Sequence, residues 1–99
     1  AIPVDIAIPR GTFYRIQVGV FSKKVDRDAF GELSPITAEI LSGRNLTKYY
    51  VGSSNRYEDV RRLLPEVRSA GFSDAFIVAW YNGNVMSVEK ARKLEAPLH

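Results

Sequence analysis

A glutamine stands in the middle of segment 13–22, among residues that favour β structure. Alternation along the predicted strand places Arg15, Gln17 and Gly19 on one side. The opposite side is apolar and consists of Tyr14, Ile16, Val18 and Val20. The amide of Gln17 offers donors and an acceptor, which suits a neutral ligand rich in hydroxyl and amide groups. The solvated side of an amphipathic strand explains this glutamine equally well.

Two later segments carry further candidate binding side chains. Lys48 and Tyr50 share one side of the predicted third strand, residues 46–52. In the fourth predicted strand Phe76 and Trp80 share one side, while the other side is mostly small or aliphatic. The pattern leaves open whether these two aromatic residues form an exposed platform or belong to the core. Arg15, Lys48 and Tyr50 have the same ambiguity, because long polar side chains on a sheet also serve solubility or cross-strand packing.

Residues able to perform catalysis are sparse. His99 is the single histidine and lies in the C-terminal tail, and there is no cysteine. Asp26 and Asp28 stand where a helix is predicted to begin, which suits a cap and a solvated face better than a metal site. Neither zinc-ligand spacing nor a phosphate-binding glycine loop occurs. The sequence therefore predicts no enzyme activity, no metal and no cofactor.

The composition is that of one globular domain: 99 residues, a net charge of +3 and 25% charged residues. This charge tolerates anionic partners but does not require nucleic acid. No stretch approaches the roughly 20 apolar residues of a membrane-spanning helix, so no membrane insertion is expected in this segment. Because the chain begins with Ala1 and carries no signal peptide, we expect it to be part of a larger protein.

The elements that must position these side chains can be read from periodicity and turn residues. The predicted strands are 13–21, 36–41, 46–52 and 75–81, and the predicted helices are 27–33, 55–70 and 87–94. Asn55 with Glu58 has capping-box spacing, Ser87 is the predicted cap of the last helix, and Asn82-Gly83 predicts a turn after the fourth strand. Residues 1–12 form an extended lead-in, residues 13–94 the domain, and residues 95–99 a disordered tail. This order predicts an α+β, ferredoxin-like βαββαβ fold with a four-stranded antiparallel sheet, helices on one face and a short C-terminal helix. The other face of the sheet is then open.

Five segments, taken in order, resemble the SPOR (sporulation-related repeat) domain, in the variant found in Bacteroidetes. They are YRIQVGVF (14–21), DAFGELSP (28–35), YYVG (49–52), YEDV (57–60) leading to Gly71 and Phe72, and DAFIV (74–78). The resemblance covers roughly residues 13–91. Arg56, Val60 and the pair Ser53-Ser54 depart from the family pattern, and they concern the loop after the third strand rather than the fold.

The resemblance implies binding rather than catalysis. SPOR domains bind septal peptidoglycan and prefer denuded glycan strands, from which amidases have removed the stem peptides. The family binds glycan on the open face of its sheet and uses the glutamine of its first strand, which is Gln17 here. The resemblance thus implies a location in the periplasm or cell envelope and a role in targeting a parent protein to the division septum.

A denuded strand is a run of N-acetylated sugars with one free lactyl carboxylate in each disaccharide. Arg15 or Lys48 would meet the carboxylate, Tyr50 would stack on a sugar ring, and Gly19 would permit close approach. Glu39 would repel the carboxylate, which counts against a long anionic footprint. The predicted glycan-binding residues are Gln17, Arg15, Gly19, Lys48, Tyr50, Phe76 and Trp80.

Two other functions would use similar surfaces. RNA-recognition domains share this topology and bind single-stranded RNA on the open sheet. Segment 48–52 supplies two aromatic residues but not their full motif, and the modest charge also argues against RNA. A protein–protein interaction module would instead engage a division or envelope partner through the open face or an edge strand.

Overall fold

The computed structural model describes residues 1–97 and has an α+β fold built on one antiparallel sheet. Its strands are β1 (Thr12–Phe21), β2 (Ile36–Leu41), β3 (Leu46–Ser54), β4 (Phe76–Tyr81) and β5 (Asn84–Met86). Its helices are a short 3₁₀ helix (Arg27–Phe30), α1 (Tyr57–Ser69) and α2 (Val88–Leu94). The prediction about His99 lies outside the described residues.

The α+β class and the antiparallel sheet are confirmed, but the sheet has five strands in the order β2-β3-β1-β4-β5 instead of the four predicted. The additional strand follows the Asn82-Gly83 turn, where both residues have positive φ, 49° and 84°. Two such residues form the tight turn that joins antiparallel strands, so the chain reverses and pairs Asn84 with Tyr81. The turn was predicted, whereas the three-residue strand after it was not.

The first predicted helix, residues 27–33, is also shorter than expected. Only Arg27–Phe30 forms a helical turn, of the 3₁₀ type, and Asp26 makes no side-chain capping bond. Gly31 follows at a φ of 55°, outside the helical region, and ends the element there. Phe30 is nevertheless buried and stacks on Phe72, so this turn still closes one end of the core.

Helix α1 is amphipathic, as its sequence predicts. Val60 and Val67 are buried on the side that faces the sheet, and the helix continues through Pro65. Its N-terminus differs from the predicted Asn55–Glu58 capping box, because the helix begins at Tyr57 and Arg56 gives no side-chain cap. Helix α2 begins as predicted, with Ser87 Oγ accepting a hydrogen bond from the Lys90 amide at 3.2 Å.

The main core lies between the helices and one face of the sheet. Its members are Tyr14, Ile16, Val18, Phe30, Leu33, Ile36, Ala38, Tyr49, Val51, Val60, Val67, Ala75, Ala79 and Ala91. The C-terminal end is attached to this core, because the Tyr14 hydroxyl donates to Glu95 Oε2 at 2.6 Å. Glu95 also accepts from the Tyr57 amide and pairs with Arg56. Glu95, the first residue of the segment predicted to be a disordered tail, is therefore held against the domain.

Candidate ligand-binding face

The sheet face opposite α1 and α2, here the helix-free face, carries most of the side chains singled out from the sequence. Along β1, Gln17 pairs with Tyr50 of β3 on one side and with Phe76 of β4 on the other. Residues directly opposite in antiparallel strands share a face, so these three lie together. Arg15, Lys48 and Trp80 lie on the same face, at alternate positions of their strands.

The orientation of β4, which the sequence left open, is now defined. Ala75 and Ala79 are fully buried in the main core, on the helix side. Phe76 and Trp80 consequently lie on the helix-free face. Trp80 belongs to a second, smaller cluster with Phe13 and Tyr50, separate from the main core.

Gly19 does not lie on the helix-free face. The prediction that it shares a side with Arg15 and Gln17 is wrong. The β1–β3 register shifts between Gln17 and Gly19, so that Gly19 pairs with Tyr49, a residue of the main core. A β-bulge of this kind reverses the alternation that a regular strand would keep. A Cβ placed on Gly19 would lie 2.8 Å from the ring of Phe21, which itself packs on the main core. Gly19 thus points to the helix side and cannot form part of a site on the helix-free face.

The N-terminal segment divides the helix-free face into two parts. Residues 3–10, here called the strap, start at the edge of β2, where Val4 forms a parallel bridge with Ala38. The strap then crosses the face, and Ile6 and Ile8 pack against the cluster of Phe13, Tyr50 and Trp80. The predicted lead-in is therefore a structural cover over one half of the sheet.

Beneath the strap lies the guanidinium of Arg15, which is only 3% exposed. Its Cζ is 3.7 Å from the ring centroid of Tyr50 and 4.5 Å from that of Trp80. Nη1 donates to Thr37 Oγ1 at 3.0 Å, whereas Nε is buried without a partner. Burial lowers the pKa of Arg15, and the nearby Tyr50 and Glu39 oppose that shift. We call Phe13, Arg15, Tyr50 and Trp80 the covered half.

Glu39 and Lys48 border the covered half at β2 and β3. The Tyr50 hydroxyl donates to Glu39 Oε1 at 3.0 Å, and Lys48 Nζ lies 4.0 Å from the same oxygen. Burial, followed by the hydrogen bond and charge of Glu39, raises the pKa of Tyr50 well above its usual range. Glu39 therefore has partners for its charge within the site, and Lys48 is only partly available to an external anion.

The remaining part of the face is accessible. Phe76 is 50% exposed and Val20 is 41% exposed, while Gln17 and Lys48 are partly exposed. Val20 joins this group because the bulge returns it to the helix-free face opposite Lys48. We call Gln17, Val20, Lys48 and Phe76 the open patch. It combines an amide, a cation and an aromatic ring within neighbouring positions of three strands.

Within residues 1–97, no group of three or more acidic, cysteine or histidine side chains is arranged to hold a metal ion. In the same part of the chain, no helix has the length and apolar character needed to span a membrane.

Comparison of the chain with protein-family models, curated proteins and solved structures found no match. The similarity to SPOR domains therefore stays a prediction that depends on the motifs quoted from the sequence.

Sequence reasoning missed two contributions to this face. Ile6 and Ile8 were assigned to a lead-in, although Ile2, Val4, Ile6 and Ile8 alternate as in a strand that buries one side. Thr37, which binds the Arg15 guanidinium, carried no recognisable signal, because its role depends on the pairing of β2 with β3.

Proposed function

We propose that this chain is a non-catalytic module that binds denuded glycan strands of peptidoglycan through the open patch. In this proposal it is a SPOR-like domain with a variant of the ferredoxin-like fold, extended by the β4–β5 hairpin. It would act in the periplasm or cell envelope and direct a larger parent protein to the cell wall at the division septum.

The cross-strand pair of Gln17 and Phe76 is the observation that carries this proposal. Phe76 is half exposed beside a partly exposed amide, on a face that no helix covers. An aromatic ring supplies an apolar plate for a sugar face, and the glutamine amide can both donate to and accept from N-acetyl and hydroxyl groups. Both features suit an uncharged, acetylated sugar better than a phosphate-rich ligand.

The charge around the patch is also compatible with a sparsely anionic polymer. Lys48 supplies a cation at the edge of the patch, and Glu39 is held by Tyr50 and Lys48. A nucleic acid carries a charge at every nucleotide and typically requires several free cations for affinity. One partly neutralised lysine beside an amide and a phenyl ring fits one carboxylate per disaccharide more closely.

Sedimentation with cell-wall material tests the proposal. We expect the chain to bind amidase-treated sacculi more strongly than intact sacculi, and to lose sedimentation after lysozyme digests the glycan. Gln17→Ala and Phe76→Ala should each weaken binding about tenfold, since one lost hydrogen bond or ring contact is worth roughly 1–1.5 kcal/mol.

Lys48→Ala should also weaken binding, because it removes the cation of the open patch. Lys93→Ala, an exposed substitution on α2, is its matched control and should leave binding unchanged. Equal binding by the unmodified chain and by Gln17→Ala and Phe76→Ala would overturn the proposal. Binding to poly-U RNA that falls steeply with salt would replace it with RNA recognition.

A further inference from the structure

A groove of about 380 Å³ runs along the strap, next to the covered half. It is lined by Ile6 and Ile8 of the strap, by Arg15 and Trp80 of the sheet, and by Val85 at the hairpin edge. A cavity of this volume is at the lower end of the range that holds small ligands. Its lining combines apolar side chains with three charged ones, of which Arg15 is the cation and Asp5 and Glu39 are carboxylates. Both carboxylates already accept hydrogen bonds, Asp5 from the Ile40 amide and Glu39 from the Tyr50 hydroxyl.

The buried guanidinium of Arg15 has no carboxylate partner. None of the ion pairs found in residues 1–97 involves it, and its Nε is buried without any hydrogen-bond partner. The aromatic rings around it compensate part of the desolvation of the charge, but they cannot accept the Nε–H as a carboxylate would. A buried cation in this state gains from any ligand that brings an oxygen anion to it.

The strap is attached firmly at its two ends and loosely between them. Near the start, Asp5 and Pro3 exchange backbone hydrogen bonds with Ala38, and beyond its end Gly11 exchanges two with Asn82. No hydrogen bond joins residues 6–10 to the remainder of the described chain. The middle of the strap is thus held over Arg15 by the packing of Ile6 and Ile8. Such a segment can open locally without unfolding the sheet.

We propose that Arg15 is the carboxylate-binding residue of a covered site, and that the middle of the strap lifts to admit the ligand. The ligand class follows from the proposed function, on which this inference rests: it is the lactyl carboxylate of a denuded glycan strand. Arg15 and Gln17 lie on the same face, two residues apart on β1, which is about 7 Å. A single glycan strand can therefore contact the open patch and Arg15 at the same time.

Chemical modification of the ligand tests this site. Denuded glycan with free carboxylates is compared with the same glycan after its carboxylates have been converted to amides. We expect the unmodified chain to prefer the free form at least tenfold, Arg15→Met to lose most of this preference, and Lys48→Ala to keep most of it. Arg15→Lys, which keeps the charge but not the fork of donors, should recover part of the preference.

Trp80 is the sole tryptophan in the chain and lies under the strap, so its fluorescence reports opening directly. The emission should shift to longer wavelength, and acrylamide quenching should rise, when the free-carboxylate glycan binds. Ile6→Ser and Ile8→Ser should produce part of this shift without ligand and should raise affinity for that glycan. Val4→Ser, at an exposed position of the strap, is the control and should do neither.

Equal affinity of the unmodified chain for the two glycans, with no change in Trp80 emission, would overturn the covered site and leave the proposed function intact. Failure of both glycans to bind would overturn the proposed function itself. The Trp80 emission change on binding of the free-carboxylate glycan requires no mutant and reports the covered half rather than Lys48, so it remains decisive even if Arg15→Met does not fold.

Discussion

The covered half and the open patch are built from the same three strands and differ in what lies above them. In the covered half, Trp80 is 5% exposed under Ile6 and Ile8 of the strap. Four residues earlier in β4 and on the same face, Phe76 is 50% exposed. Side chains alternate regularly along β4 through both places, so the periodicity of this strand determines the face of a residue but not its accessibility.

The two halves also handle charge differently. Lys48 in the open patch lies close to Glu39 and is partly exposed to solvent, so its charge carries only a small desolvation cost. Arg15 in the covered half is enclosed by aromatic rings and has one hydrogen bond, to Thr37. A charge kept at such a cost is characteristic of a functional position, because an apolar residue of similar volume would pack there more favourably.

The largest expected difference between the halves is in stability. Trp80→Ala should lower the free energy of unfolding by about 3–5 kcal/mol, because it removes a buried ring from beneath the strap. Phe76→Ala should lower it by about 1 kcal/mol, since half of that side chain is already in water. Denaturant unfolding of the two variants measures the difference. Similar losses would mean that the strap does not protect the covered half in solution.

Replacement of Arg15 sharpens the comparison of charge. We expect Arg15→Met to leave the free energy of unfolding unchanged or to raise it by up to about 2 kcal/mol, because it removes an unpaired buried charge from an apolar setting. Thermal unfolding would detect this change. A clear decrease in stability would show that the contacts with Tyr50 and Trp80 outweigh the cost of burying the guanidinium.

Gly19 tests where the open patch ends. Gly19→Ala should destabilise the chain by about 1 kcal/mol, because the added methyl group forces the Phe21 ring to move. Sedimentation with amidase-treated sacculi should not change, since the bulge directs this position to the helix side. A strong loss of glycan binding with unchanged stability would instead support the regular alternation predicted from sequence.

The smallest effect is expected from pH. The raised pKa of Tyr50 comes first from burial and then from its hydrogen bond to Glu39. A raised pKa in the folded state means that this stabilisation is fully present below the unfolded value, about 10, and is lost as the pH rises towards the folded value. Tyr50→Phe should therefore reduce the loss of stability at alkaline pH. An unchanged alkaline profile in denaturant unfolding would contradict this.

Much of the fold could be predicted because its signals are local. The bounds of β2 agree with the prediction, Ser87 caps α2, and Val60 and Val67 mark the buried side of α1. The fifth strand was missed because three residues are too few to show a period, although the Asn82-Gly83 turn implied a returning strand. The predicted length of the first helix was wrong because Gly31 ends the element after one turn.

The site could be predicted only in part, because its accessibility depends on contacts far apart in sequence. Gln17 and Phe76 lie on one face as their strands suggest, whereas Arg15 and Trp80 are buried by a segment outside the predicted domain. The side of Gly19 depends on how β1 meets β3, which no pattern within β1 reveals. Non-local pairing, rather than local propensity, accounts for each of these differences.

The pairing of β1 with β3 is irregular at two points, between Tyr14 and Ile16 and between Gln17 and Gly19. Each bulge increases the right-handed twist of the ribbon, so Arg15 and the far end of the strand do not present their side chains along one direction. A linear polymer that followed this surface would have to turn about its own long axis as it advanced. The surface would then favour a polymer segment whose own twist matches that of the sheet.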